Sequence, residues 1–383
     1  MRSRTVARVV AVVAVLAVLA AACSSSAGTT TTNSGNKASA TKVIANAQAI
    51  VTKAMKPVAA SLQVAPVAVP AGKRVGVLVC GYAIAYCGQV QQPAIKAALS
   101  AAGLKGVFVD GKGTPEGQAD AEQQLISDHV NAIINISVPD VAIQSAVRSA
   151  READIPVLCL GCGNAANPVS DPAKNGSVAN ADSDQLSQGV ALGSYLIVAK
   201  NGTPKVGVMS VPSAFANVNR VNGVKKAFQS CASLGCTVHT QVLSLNGDVQ
   251  SNARNVATTF LQQYSSGQLN YIMTPSDDVA LGVQQAMATL GRNNVLIAGY
   301  DCGAASLQWI RESKYQVVDV AAPLQEEAWA IVDQAIRVLA GKKGQTLTFS
   351  ARLITKDNVG TGTAVCGSQS DYAPTYEKAW RKT

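Results

Sequence analysis

VNAIINISVPDVAIQSAVRSAREADIPVL, residues Val130 to Leu158, changes period twice within one stretch. Asn131 to Ile136 (NAIINI) is a nearly unbroken apolar run, as in a strand buried on both faces. DVAIQSAVRSARE, Asp140 to Glu152, spaces its apolar residues as a helix does, and IPVLCL, from Ile155, is a second apolar run. Strand, helix and strand in that order predict a right-handed crossover above a parallel sheet. The pattern continues on both sides. VGVLV, GVFVD, KVGVMS, TVHTQVL, NYIMT and NVLIAGY read as further strands, and QVQQPAIKAALSAA and DVALGVQQAMATL as further helices. Eight or more strands of this kind predict an α/β protein, with two doubly wound parallel-sheet lobes or a barrel. In open parallel sheets ligands bind beyond the carboxyl ends of the strands, so functional residues are sought there.

Composition narrows the class. At 383 residues with 48% apolar side chains, two medium cores are expected rather than one large one. Aromatic residues are only 4%, too few for a nucleic-acid stacking platform. The formal charge is +9, but Arg2, Arg4 and Arg8 supply three of those charges and the remaining Lys and Arg form no run. A nucleic-acid partner is therefore not expected.

The three arginines open MRSRTVARVVAVVAVLAVLAAACSSS, in which an apolar stretch from Val9 to Leu19 leads through small residues to Cys23. This pattern predicts a signal peptide over residues 1–22. The apolar run falls short of the roughly 20 residues needed to span a bilayer. LAAAC resembles a bacterial lipobox, which implies that Cys23 is the lipidated N-terminus. A protein carrying two or more acyl chains stays anchored, here on the outer face of the cytoplasmic membrane. Residues 23–72 then read as a tether followed by a leading helix. Ser24 to Ala40 is small and polar, and Thr41 to Ala60 has helical apolar spacing.

The opening stretch and SDDVALGVQQAMATLGRNNVLIAGYDCG, Ser276 to Gly303, resemble the corresponding segments of type I periplasmic binding proteins of the ribose and galactose kind. The likeness runs in order from about Arg74 to about Ile354. It implies two Rossmann-like lobes joined by three crossings, one formed by 73–179 with 323–350 and the other by 180–322 with 351–383. Hinges are expected near Val178 to Ala181 and near Ala321 to Pro323. The implied function is capture of a small molecule between the lobes by a monomer that delivers it to an ABC permease, without a cofactor. A sensor presenting its ligand to a receptor is the alternative within the same class.

The resemblance also assigns candidate ligand residues. Ser276 stands where relatives carry a ligand-binding Asn, and Asp277 after it is either a second ligand group or a helix cap. Asp301 matches the family's ligand-binding Asp. In CGYAIAYCGQ, Tyr82 and the better-matched Tyr86 stand for the aromatics that sandwich a sugar ring, and Gln89 begins the next helix. Phe215 and Asn217 are candidates after KVGVMS. Arg220 lies two positions from a family ligand-binding Arg and is read as an exposed helix charge. In IPVLCLGC the family's charged pair is replaced by Gly161 and Cys162, with Asn164 following, which predicts a cleft less polar than a ribose site.

Export favours oxidised cysteines. Beyond Cys23 the remaining eight fall into Cys80 with Cys87, Cys159 with Cys162, Cys231 with Cys236 and Cys302 with Cys366, although spacing alone leaves 105 pairings. A redox role for Cys159 and Cys162 would want a helix N-terminus, and CLGCGNAANPVSDP does not start one. The metal alternative is a thiolate cluster of Cys80, Cys87, Cys159 and Cys162, because His129 and His239 read as structural. GKGTPEG reads as a turn with Thr114 capping a helix. With no phosphate loop and no nucleophile elbow, no enzyme and no bound metal are expected.

Overall fold

The computed structural model describes residues 31–57, 64–138, 142–162, 176–361 and 372–382. The expected signal peptide, Cys23, Asn164 and Cys366 lie outside them.

Helix α1 (Thr31–Met55) comes first. Residues 31–40 of the expected tether, more than half of it, are therefore helical. The helix ends just before Pro57, which disfavours helical backbone in the residue preceding it. Ala47 and Val51 of α1 are buried against the second lobe.

The first lobe is built on β2 (Arg74–Val79), β3 (Lys105–Asp110), β4 (Ala132–Ile136), β5 (Val157–Leu160), β6 (Ser177–Ser183) and β12 (Thr346–Phe349). They lie in the order β3-β2-β4-β5-β6-β12, all parallel. The second sheet runs β8 (Thr237–Val242), β7 (Lys205–Ser210), β9 (Tyr271–Met273), β10 (Leu296–Tyr300), β11 (Gln316–Ala321) and β13 (Arg352–Ile354). Only β13 is antiparallel to its neighbour. Strands β2 and β4, which carry apolar residues on both faces, are buried almost throughout because helices cover each side.

Local chemistry sets the helix ends. Helix α2 (Gln92–Ala102) stops at Gly103, whose φ of 76° suits a residue without a Cβ. Thr114 caps α3 (Pro115–Ser127) by accepting the Gly117 N–H at 3.1 Å, as expected. Asp184 caps α5 (Gln185–Ala199) and Asp248 caps α7 (Val249–Gln263) in the same way. The other helices are α4 (Gln144–Glu152), α6 (Phe215–Gln229), α8 (Ala280–Thr289), α9 (Ala304–Glu312), α10 (Leu324–Leu339) and α11 (Tyr372–Ala379).

Two boundaries differ from the expectation. The first lobe does not end at residue 179: β6 continues to Ser183 because β12 pairs with it as far as that residue, so the chain crosses at Asp184. The final segment does not belong to the second lobe. Strand β14 (Trp380–Lys382) pairs with β1 (Val67–Val69), and Tyr376 and Trp380 sit in the first lobe's core beside Trp329 of α10. The remaining crossings fall at Ala322–Pro323 and at 350–351, between β12 and β13.

Candidate binding cleft between the lobes

The carboxyl ends of both sheets face one cleft of about 710 Å³, counting the part that opens to solvent. The first lobe contributes the loops after β2, β4 and β5, the end of β6 and the start of α10; the second contributes the loops after β7, β8, β9 and β10.

Arg220 and Asp301 form the floor on the second lobe. Arg220 Nη2 lies 2.7 Å from Asp301 Oδ1, and Nη1 donates to Asp301 Oδ2 at 3.2 Å and to the Pro275 carbonyl at 2.9 Å. Its Nε donates to Gln188 Oε1 at 2.9 Å, and the guanidinium lies 4.4 Å above the Tyr300 ring. Desolvation opposes the charge on Arg220, but the Asp301 carboxylate more than offsets it and holds the pKa above its ordinary value. The expectation of an exposed helix charge is corrected: Arg220 is only 6% exposed, because α6 turns this face onto α5 and the cleft. Asp301 itself has φ 79°, a left-handed conformation that aspartate tolerates and that aims the carboxylate back across the strand ends.

Of the other expected residues, Tyr86, Asn217 and Ser276 line the cleft. Tyr86 is partly buried, and desolvation pushes its phenol up to about 12, while a hydrogen bond with Ser137 acts the other way. Asn217 is committed to the loop after β7: its Oδ1 accepts from Val211 N at 2.7 Å and its Nδ2 donates to the Met209 carbonyl at 3.3 Å. Ser276 Oγ donates to Asp278.

Several expectations are corrected by geometry. Tyr82 is 40% exposed and outside the cleft lining; its backbone N–H donates to Asp110. Gln89 is exposed and Gln91 lines the cleft in its place; Tyr86–Gln91 winds as π-helix, whose wider turn changes which side chains share a face. Asp277 faces away from the cleft. Its Oδ2 accepts from Gly303 N at 2.7 Å and its Oδ1 from Gln316 Nε2 at 3.0 Å, so it fastens the loop after β10, and Asp278 faces the cleft instead. Phe215 does not line the cleft, whereas Ala214 and Ala216 beside it do. Cys162 is bonded to Cys159 and leaves Gly161 at the wall. A Cβ on Gly161 would come 2.8 Å from Ser137 Oγ.

The cleft also holds polar groups that the sequence reading did not name. Asp182, Ser183, Gln185 and Glu327 from the crossing region, with Gln188 and Asp278, supply polar groups that the Gly161–Cys162 pair lacks. Ser183 Oγ donates to Glu327, and Gln185 Nε2 to Asp182. Burial first, and then the charge of Asp182, push Glu327 up to about 8. Asp278 is raised by desolvation despite its bond from Ser276. Sequence reasoning missed these groups; the one visible signal was a pair of glutamates, Glu326 and Glu327, in the first turn of a helix.

The structure pairs Cys80 with Cys87, Cys159 with Cys162 and Cys231 with Cys236. The first two bridges consume all four thiols of the suggested metal cluster. Two buried amide atoms at the cleft have no partner among the described residues, Gln91 Oε1 and Gln188 Nε2.

A family model described as a periplasmic binding protein domain matches residues 75–343. The galactofuranose-binding protein YtfQ of Escherichia coli (strain K12) is 23% identical over 188 residues, 48% of this chain, and the chain spans 56% of that relative's own length. Among solved structures, the myo-inositol binding protein of Caulobacter with bound myo-inositol has a TM-score of 0.68 at 17% identity, covering 76% of this chain and 96% of that one. A solute binding protein from Agrobacterium vitis with bound allitol gives 0.65 at 22% identity, over 75% and 96%. The arabinose-transporter component of Shewanella sp. ANA-3 gives 0.66 at 20% identity, over 80% and 95%. At these identities the shared property is the fold.

Proposed function

This chain belongs to the periplasmic binding protein domain family, and from that premise we propose that it is an exported solute-binding protein, lipid-anchored through Cys23, that hands a small polyhydroxylated molecule to an ABC permease. The observation that carries the reading is the cleft itself. Two lobes place strand ends on opposite sides of one space, and a buried arginine–aspartate pair stands there with two uncommitted glutamine groups. Buried polar atoms without partners cost about 1–3 kcal/mol each, a penalty that a hydrogen-bonding ligand removes. Tyr86 supplies a flat apolar face, and Asp301 an acceptor for hydroxyl groups. The named ligands of the similar proteins, galactofuranose, myo-inositol, allitol and arabinofuranose, suggest the chemical range to try first.

The cleft groups do no chemistry in this reading; they bind and exclude water as the crossings at Asp184, Pro323 and 350–351 flex. The test is thermal unfolding of the mature chain against a panel of sugars and polyols. A ligand at 100 times its Kd raises stability by about 2.7 kcal/mol, a readily seen shift. No shift with any sugar, polyol or amino derivative overturns the proposal.

A further inference from the structure

We infer that Glu327 is a ligand-binding residue that works as a neutral acid, donating its proton to an oxygen of the ligand, so that binding weakens once the carboxyl ionises. The inference rests on the binding-protein reading above and deepens it by naming one contact and the group it meets, an acceptor oxygen.

Glu327 stands where the chain re-enters the first lobe, in the first turn of α10 after the crossing at Ala322–Pro323. It is 1% exposed, and it lines the cleft together with Asp182 and Ser183, which end β6 just before the crossing at Asp184. The Ser183 hydroxyl donates to Oε1, and no other hydrogen bond reaches this carboxyl group among the described residues. A carboxylate buried with a single hydroxyl donor is costly, so burial favours the acid form. With Oε1 occupied by Ser183, Oε2 carries the proton on a side chain that lines the cleft.

The proton belongs to Glu327 and not to its neighbour. Asp182 accepts from Ser183 N at 2.8 Å and from Gln185 Nε2, and such donors favour a carboxylate. The charge on Asp182 then disfavours a second charge on Glu327. Asp301 after β10 acts in the same direction, while Arg220 on α6 opposes it but is bound to Asp301 through two nitrogens. Of the other titratable groups lining the cleft, Tyr86 on the π-turn stays a neutral phenol up to about 12 and Asp278 follows β9 on the second lobe. Glu326, beside Glu327 on α10, does not line the cleft. Burial first and Asp182 second place the ionisation of Glu327 at about 8.

A ligand oxygen that accepts this proton binds the acid form only. Affinity should therefore be constant up to about pH 8 and then fall, approaching ten-fold per pH unit. In the falling range binding takes up a proton, which calorimetry in two buffers of different ionisation heat counts. The probes are L-arabinose, D-galactose, myo-inositol and allitol, none of which titrates between pH 7 and pH 10. Glu327→Gln keeps a donor and cannot ionise: it should bind within about three-fold of wild type at pH 7, with no fall and no proton uptake up to pH 10. Asp182→Asn, as a second variant, removes the neighbouring charge and should move the onset of the fall below pH 8. Infrared difference spectra of the free protein between pH 7 and pH 10 should show the loss of a protonated carboxyl band that Glu327→Gln lacks. A flat pH profile in wild type, proton release on binding, a fall that Glu327→Gln retains, or no such band overturns the inference while the proposed function stands. If none of the four probes and none of the broader panel binds, both fall together.

Discussion

Arg220 spends its three nitrogens on Gln188, Pro275 and Asp301 and its planar face on Tyr300, so one side chain joins α5, the loop after β9 and the loop after β10. Both members of the Arg220–Asp301 pair are less than one-tenth exposed. Removing one partner leaves the other charge buried, a loss of about 3–5 kcal/mol. Arg220→Met should therefore lower the unfolding free energy measured in urea by about that amount, and the double change Arg220→Met with Asp301→Leu should be less damaging than the two single losses added. Equal additivity in a double-mutant cycle would mean that the pair is not coupled. Asp277 gives a second test at this scale. Burial raises its pKa well above the carboxylate range, and Asp319, itself pushed up to about 6 by burial, raises it further. The folded chain thus holds a proton that the unfolded chain releases near pH 4. That stabilisation is complete below pH 4 and is lost as pH rises through the folded values. Asp277→Asn keeps a donor toward Asp319 without the charge, so chemical denaturation should find it more stable relative to wild type at pH 8 than at pH 5. A difference that is flat with pH would show that the two carboxyl groups do not share a proton.

Helices α5 and α6 meet through glycine, and their close approach positions Gln188 and Arg220. A Cβ at Gly189 would lie 2.0 Å from the Arg220 carbonyl, and one at Gly223 2.2 Å from the Leu186 carbonyl. Overpacking costs typically about 1–3 kcal/mol, and backbone atoms leave little room to relax. Gly189→Ala should lower the melting temperature and weaken ligand binding together, because the helices must separate and carry the Gln188–Arg220 bond with them. A melting shift with unchanged affinity would show that this helix pair does not set the cleft. Elements of this kind also mark what the sequence could disclose. Runs such as NAIINI and VLIAGY are apolar enough to be strands in any context, and chain order then put the cleft at their ends. The side chains that face the cleft depend on register instead. YCGQVQ carries no sign that it winds as a π-turn, so the face falls on Gln91 rather than Gln89. SDD enters a 3-10 turn that gives Asp278 to the cleft and Asp277 to the loop. Arg220 read as exposed because a charged residue on a helix usually is, and the neighbour that buries it is supplied only by the tertiary fold.

At the scale of the whole molecule, the chain passes between the lobes more often than the three hinge crossings require. Helix α1 packs on the second lobe while β1, which follows it, belongs to the first. At the other end β13 lies in the second sheet, and α11 with β14 returns to the first lobe. That return is held by aromatic packing: Trp380 stacks on Trp329 with ring centroids 5.5 Å apart, and Tyr376 lies 6.3 Å from the same ring. Trp380 Nε1 also donates to Asp333 at 3.0 Å; Asp333 pairs with Arg337 at 2.7 Å, and Arg337 reaches the Ala65 carbonyl beside β1. Deleting residues 372–383 removes two buried aromatic side chains from one lobe only. With losses of about 3–5 kcal/mol for each buried aromatic side chain, the truncated chain should lose on the order of 6–10 kcal/mol. Hydrogen exchange distinguishes how that loss is distributed. If the lobes are separate cooperative units, β2, β4 and α10 should lose protection while β7 and β9 keep theirs. A uniform loss across both sheets would instead mean that the extra passages make the two lobes fold as one body. Closure of the cleft would then strain the whole chain, and a hinge confined to Asp184, Pro323 and 350–351 would no longer account for it.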